Sequence, residues 1–146
     1  MQKVYLAPFY MISVALIGLG DVFYLAYYQY LNLIPSCAIG GCEVVLSSVY
    51  SKFMGVPLSY IGIVYYGYML CLVSLLAFEP ESRALRLAAL LYTSLGFLLS
   101  LIFIFYIQLG LIHALCLYCA ISAMTSVILF SLSVWHFKAT YLANSL

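Results

Sequence analysis

From Leu87 to Trp135 the sequence contains no aspartate, glutamate, lysine or arginine. A helix crossing a hydrocarbon core of about 30 Å needs about 20 residues at 1.5 Å each. The run is too long for one span, so it must fold back inside a bilayer, with the turn at Gln108–Ala114. The rest of the chain agrees. It is 68% hydrophobic and 6% charged, where soluble domains carry roughly 25% charged residues. The formal net charge of +1 leaves no basic patch for nucleic acid.

The expected fold is an all-α integral membrane protein, a four-transmembrane-helix bundle. The helices are expected at about 4–30, 56–78, 84–109 and 115–137, with an outer loop at 31–55. Together they form one membrane domain, 1–146, without room for an appended soluble module. The first twenty residues have the apolar character of a signal peptide, but no small-x-small cleavage site closes them, and they read as an uncleaved first span. Pro8 lies near its start, where a missing N–H does least harm. Tyr24, Tyr27, Tyr28 and Tyr30 suit an interfacial aromatic belt at its far end. In the loop, Val44, Val45, Leu46, Val49, Tyr50 and Phe53 recur at roughly helical spacing, as in a short helix lying on the membrane surface. Lys138–Leu146 reads as a polar tail. Four spans put both termini on one side, together with Lys3, Arg83, Arg86 and Lys138. Lys52 falls on the other. The positive-inside rule then makes the termini cytoplasmic and the loop external.

This topology gathers four of the five cysteines at the outer face, where disulfides persist. Cys37 and Cys42 flank the Gly40–Gly41 turn. Cys116-Leu117-Tyr118-Cys119 opens the last helix, so its two sulfurs share a face. A helix N-terminus also favours a thiolate, the nucleophile of disulfide exchange. Cys71 lies about 21 Å down the second helix and reads as a buried packing residue. Two cysteine pairs on one face suggest a relay: a dithiol partner reduces one pair, electrons pass to the second, and a terminal acceptor removes them. For a thioredoxin-like partner near about −120 mV the acceptor must lie higher still, which points to a membrane quinone.

These residues resemble the vitamin K epoxide reductase family over most of the chain. The resemblance rests on the four spans, the loop cysteine pair and the Cys-x-x-Cys. It also rests on Cys42-Glu43-Val44-Val45-Leu46-Ser47-Ser48 and on the stretch Tyr50 to Ser59, YSKFMGVPLS. It implies that Cys37 exchanges with the partner, that Cys42 carries electrons to Cys116, and that Cys119 faces a quinone of ubiquinone, menaquinone or vitamin K type. Ser48 matches the family's loop serine near the active site. The loop pair is spaced more tightly than in the animal enzymes. Ala123 stands where those enzymes carry a tyrosine four residues after the last cysteine. The resemblance is thus closest to prokaryotic thiol oxidases of the inner or plasma membrane, without a fused thioredoxin domain. It implies a separate extracytoplasmic thioredoxin-like partner and disulfide formation in exported proteins.

Other residues carry less. Asp21, an acid inside the first span, reads as a protonated group or one hydrogen-bonded to another helix. His113 could relay a proton or stabilise a thiolate, but serves equally as a polar turn residue. Ala120, Ser122, Ala123, Thr125 and Ser126 could leave a slot for a flat ring, or simply let helices pack. No metal is expected. The alternatives are a four-thiolate metal site, a scaffold with structural disulfides and, within the same class, a vitamin K epoxide or quinone reductase.

Overall fold

The structure is a computed structural model. It describes residues 2–38 and 40–144, with the side chains of residues 6–38 and 40–141; Met1, Ile39, Ser145 and Leu146, and with them the end of the expected polar tail, lie outside the described residues. Helix α1 runs Gln2–Tyr30. A loop leads to the short helix α2, Cys42–Ser47, then to a single 3-10 turn, Val49–Ser51. A small hairpin follows. Strand β1 (Lys52–Phe53) pairs antiparallel with β2 (Val56–Pro57), in the register Lys52 to Pro57 and Phe53 to Val56. Helix α3 is Leu58–Phe78 and α4 is Arg83–Leu101. A π-helical segment, Ile102–Ile112, continues α4 without a break. Helix α5 is Leu117–Asn144, so the expected polar tail begins as helix.

Four stretches are long and apolar enough to cross a membrane: Leu6–Tyr30, Leu58–Phe78, Arg83–Ile112 and Leu117–Tyr141. The architecture is therefore the expected all-α membrane bundle. Helix α1 packs along α3 and α5, and α4 packs along α5 and more sparingly on α3. Met11, Ala15, Val22, Tyr66, Met69, Val73 and Leu129 form the central core. Leu72, Leu76 and Ala89 tie α3 to α4 beside it. Large apolar side chains such as Phe9, Ile17, Val64, Leu91 and Phe105 point outward. In water they would be a liability. Against lipid tails they are the solvent-facing surface. Two hydroxyls of α4 close on their own helix: Thr93 Oγ1 donates to the Ala89 carbonyl at 2.8 Å and Ser94 Oγ to that of Leu90 at 2.6 Å.

Cys71 corrects the reading of a buried residue. The inward face of α3 is Ser59, Tyr66, Met69, Leu72, Val73 and Leu76, and Cys71 lies off that stripe, exposed on the bundle's outer surface. Spacing along a helix gives depth, but which side faces inward is decided by the neighbouring helices.

Candidate functional site: a sulfur cluster over an apolar cavity

The site forms where the outer loop meets the start of α5. Gly41 makes this contact possible: a Cβ there would overlap the Leu115 carbonyl. Tyr118 adds a second tie, its hydroxyl donating to the Ser36 carbonyl at 3.4 Å and its ring lying 5.2 Å from that of Tyr24. Cys42, Val45 and Cys116 are buried together, with Cys37, Leu46, Phe103 and Cys119 packed around them.

Within this cluster Cys37 and Cys42 form a disulfide. Cys116 and Cys119 are free thiols. The Cys116 sulfur lies 3.3 Å from the Cys42 sulfur. Cys37 is half-buried, while Cys42 and Cys116 are fully buried. The sulfurs of Cys37, Cys42 and Cys116 all lie within 4.8 Å of one another. Thiolates so placed could hold a soft metal, but the Cys37–Cys42 bond withdraws two of them as ligands.

Cys116 occupies the N-cap position of α5, its carbonyl accepting the first helical bond from the Ala120 N–H at 2.9 Å. An N-cap side chain lies within reach of the unpaired N–H groups of the first turn. Its thiol is pushed down from the ordinary 9.0 to about 7, chiefly by the Cys119 thiol donating to its sulfur, with the Cys119 and Tyr118 N–H groups assisting. Burial and the Asp21 carboxylate act in the opposite direction. Cys116 is therefore the member of the helix pair prepared to be a thiolate near neutral pH.

Gln108 holds this turn together. It is fully buried. Its Oε1 accepts from the Cys116 N–H at 3.1 Å, and its own carbonyl accepts from His113 and Ala114. The π-helical register turns it inward from a run of otherwise apolar residues; such segments recur at functional sites. Of the two readings of Asp21, the hydrogen-bonded one is not met at Oδ2, which is buried without a partner.

Beneath the sulfurs lies a cavity of about 210 Å³. Helix α2 roofs it with Val45 and Leu46, and Cys119 opens onto it. Ser122, Ala123 and Ser126 line one wall, and Val22, Leu99, Phe103 and Ile104 contribute apolar surface. The Ser59 hydroxyl bonds Gln29 Oε1 at the rim. Of the small residues after the Cys-x-x-Cys, Ser122, Ala123 and Ser126 thus line a slot, whereas Ala120 does not and Thr125 bonds the Tyr66 hydroxyl instead. Ser48 and His113 do not line the cavity. Ser48 Oγ donates to the Val45 carbonyl at 2.7 Å and finishes α2. His113 is exposed at the end of the π segment, in left-handed conformation with φ 54°. Gln108, Tyr65, Gln29 and Ser59 were not singled out as site residues. A lone amide inside an apolar run was a usable signal for Gln108. Tyr65 had none, being one of fifteen tyrosines.

Fold and site define a four-span membrane protein with a disulfide, a nearby thiol and an apolar cavity in series. The vitamin K epoxide reductase family model matches residues 9–134, and the chain belongs to that family. It is also similar to the thiol-disulfide oxidoreductase LTO1 of Arabidopsis thaliana, with 36% identity over 121 residues, which cover 78% of this chain and 32% of the relative. The chain thus spans about a third of the length of that curated relative.

Proposed function

We propose that the chain is a membrane disulfide oxidoreductase that takes electrons from a thioredoxin-like partner and delivers them to a quinone. The observation that carries this reading is the order of the sulfurs. Cys37 is half-buried at the surface, Cys42 and Cys116 are 3.3 Å apart, and Cys119 opens onto an apolar cavity. The relative's printed name, thiol-disulfide oxidoreductase, supports the same chemistry.

The steps balance. A partner thiolate attacks Cys37 and releases the Cys42 thiolate; the partner's second thiol then resolves the mixed disulfide, leaving Cys37 as a thiol and the partner oxidised. Cys42 attacks Cys116 of an oxidised Cys116–Cys119 pair and expels Cys119. Cys37 closes the cycle by attacking Cys42, which restores the loop disulfide and leaves Cys116 and Cys119 reduced. That final state is the one in the structure. A quinone in the cavity supplies the sink, taking two electrons and two protons as the Cys116–Cys119 bond re-forms. The cavity fits such a group: it is mainly apolar, it lies within the spans, and a thiol faces it. Gln108 keeps the Cys116 turn in place, and the roof of α2 keeps water from the exchanging sulfurs.

The basic residues Arg83, Arg86 and Lys138 lie at one end of the bundle and Lys52 at the other, so the sulfur cluster belongs at the outer face of an inner or plasma membrane. The test is trapping. With a reduced thioredoxin-like protein that keeps only its attacking cysteine, the chain with its Cys37–Cys42 bond intact should accumulate a Cys37–partner adduct as the Cys42 thiolate leaves, and Cys42→Ala, which has no bond to attack, should form none. In Cys119→Ala the helix pair cannot oxidise; the Cys116 thiolate attacks Cys42 of the loop disulfide, expels Cys37 and should accumulate a Cys42–Cys116 bridge, with quinone reduction lost. Non-reducing mass spectrometry reads both, and an adduct through Cys116 with Cys37 free would overturn the order.

A further inference from the structure

Among the described residues, four side-chain atoms are buried with no hydrogen-bond partner: Asp21 Oδ2, the Tyr65 hydroxyl, Gln108 Nε2 and His136 Nε2. Of these residues only Tyr65 lines the cavity that Cys119 opens onto. Its neighbour Tyr66 lines the same cavity and shows the contrast. The Tyr66 hydroxyl is fully engaged, 3.0 Å from the Ser122 carbonyl and 2.6 Å from Thr125 Oγ1, and clamps α3 to α5.

Tyr65 is held as firmly but by its ring. It stacks on Tyr92 at 4.8 Å with 12° between the planes, and meets Tyr66 edge-on at 5.2 Å. The Tyr92 hydroxyl donates to the Tyr65 carbonyl at 3.2 Å. Gly96 makes room for the tip, since a Cβ there would overlap the Tyr65 hydroxyl. A fixed, dehydrated O–H without an acceptor is costly. Phenylalanine would make the same ring contacts without that cost, so packing does not account for the hydroxyl. A mainly apolar ligand that brought one acceptor to this wall would satisfy the hydroxyl.

We propose that the Tyr65 hydroxyl donates a hydrogen bond to a carbonyl oxygen of the quinone headgroup and so fixes the ring beside Cys119. This rests on the quinone reading above. A preorganised O–H also gains strength as negative charge builds on the oxygen that it faces. Tyr65 is then a binding residue that sets orientation, while the sulfur exchange at Cys42 and Cys116 proceeds without it.

The experiment uses the purified full chain in detergent, wild type and Tyr65→Phe, with a decyl-benzoquinone labelled with ¹³C at its carbonyls. In the wild type, infrared difference spectra should show one carbonyl stretch shifted down from its position in empty micelles. Tyr65→Phe should abolish that shift, weaken quinone binding about threefold to tenfold, as loss of one hydrogen bond implies, and raise the quinone KM to match. Thermal stability without quinone should rise slightly, because the unpartnered O–H is gone, while the rate of Cys42–Cys116 bridge formation in the Cys119→Ala background should be unchanged. An unshifted affinity and an unchanged carbonyl band in Tyr65→Phe would overturn the proposal, with a trapped water as the hydroxyl's partner. So would a loss of thermal stability equal to the loss of binding, which would assign Tyr65 a structural role. A wild type that neither binds nor reduces the quinone would instead remove the quinone reading itself.

Discussion

Cys116 differs from the other cysteines by its position at the head of α5. An ordinary buried cysteine stays a thiol because a low-dielectric surrounding penalises the charge. Here the sulfur collects the Cys119 thiol and the N–H groups of the first turn, and these outweigh burial and the opposing Asp21 carboxylate. The result is a thiol at about 7, against 9.0 for a free one. Because the pKa is lowered, the thiolate is present above that value and lost as pH falls through it. In a Cys71→Ala background with the loop disulfide intact, ultraviolet thiolate absorbance should therefore rise with a midpoint near 7. The reverse of the last step of the cycle, attack of the Cys116 thiolate on Cys42 of the loop disulfide, should follow the same curve and level off above it. Cys119→Ala removes the main donor and should move the midpoint, read there from the pH dependence of the rate of bridge formation, up towards 9.0. Identical midpoints in both proteins would show that the helix end alone sets the value.

At the level of elements, the site depends on how closely the outer loop approaches α5. The disulfide closes the loop on itself, and Gly41 lets its backbone lie against Leu115. No side-chain rotation can relieve a methyl group placed there, because the obstacle is a backbone carbonyl. Gly41→Ala should push Cys42 away from Cys116, and a displacement of about 1 Å can slow a positioned reaction by as much as about a hundredfold. The expected result is bridge formation between Cys42 and Cys116 at least about tenfold slower in the Cys119→Ala background, read by non-reducing mass spectrometry. Gly20→Ala is the control, since a Cβ there meets nothing within 4 Å. Equal rates in the two variants would mean that the loop adjusts freely. The π-helical segment works with the loop. It carries Gln108 inward to the amide of Cys116, and ends in a left-handed His113 that turns the chain into α5.

At the scale of the whole molecule, the orientation proposed above rests on where the basic residues lie. Ser82 precedes α4 at the end that carries Arg83 and Arg86. Met54 is the hairpin tip beside Lys52 and is 90% exposed. In sealed cells carrying Cys71→Ala, a cysteine replacing Met54 should react with a membrane-impermeant thiol reagent, while one replacing Ser82 should react only after permeabilisation. Equal labelling of both sites in intact cells would refute the orientation proposed above. In the orientation proposed above, the sulfurs would run from the outer surface into the bilayer, and electrons from the proposed exported partner would reach the proposed quinone without crossing the whole membrane.

The amino-acid sequence by itself determined the membrane class, the four spans and the gathering of Cys37, Cys42, Cys116 and Cys119 at one end. Each follows from local quantities: the length of uncharged runs, helix rise per residue and the number of crossings. The small residues Ser122 and Ala123 were also legible as one wall of a slot, because their spacing from Cys119 sets their place on α5. Rotation and approach between helices were not legible, because they depend on which faces of different helices meet. That is why Cys71 turned outward, why Ser48 and His113 fell outside the cavity, and why Asp21 found no partner. It is also why Tyr65 and Tyr66, adjacent in the chain, differ so sharply. Tyr66 meets Ser122 and Thr125 across the bundle, whereas the hydroxyl of Tyr65 is left buried without a partner in the wall of a cavity that exists only once α3, α4 and α5 have packed.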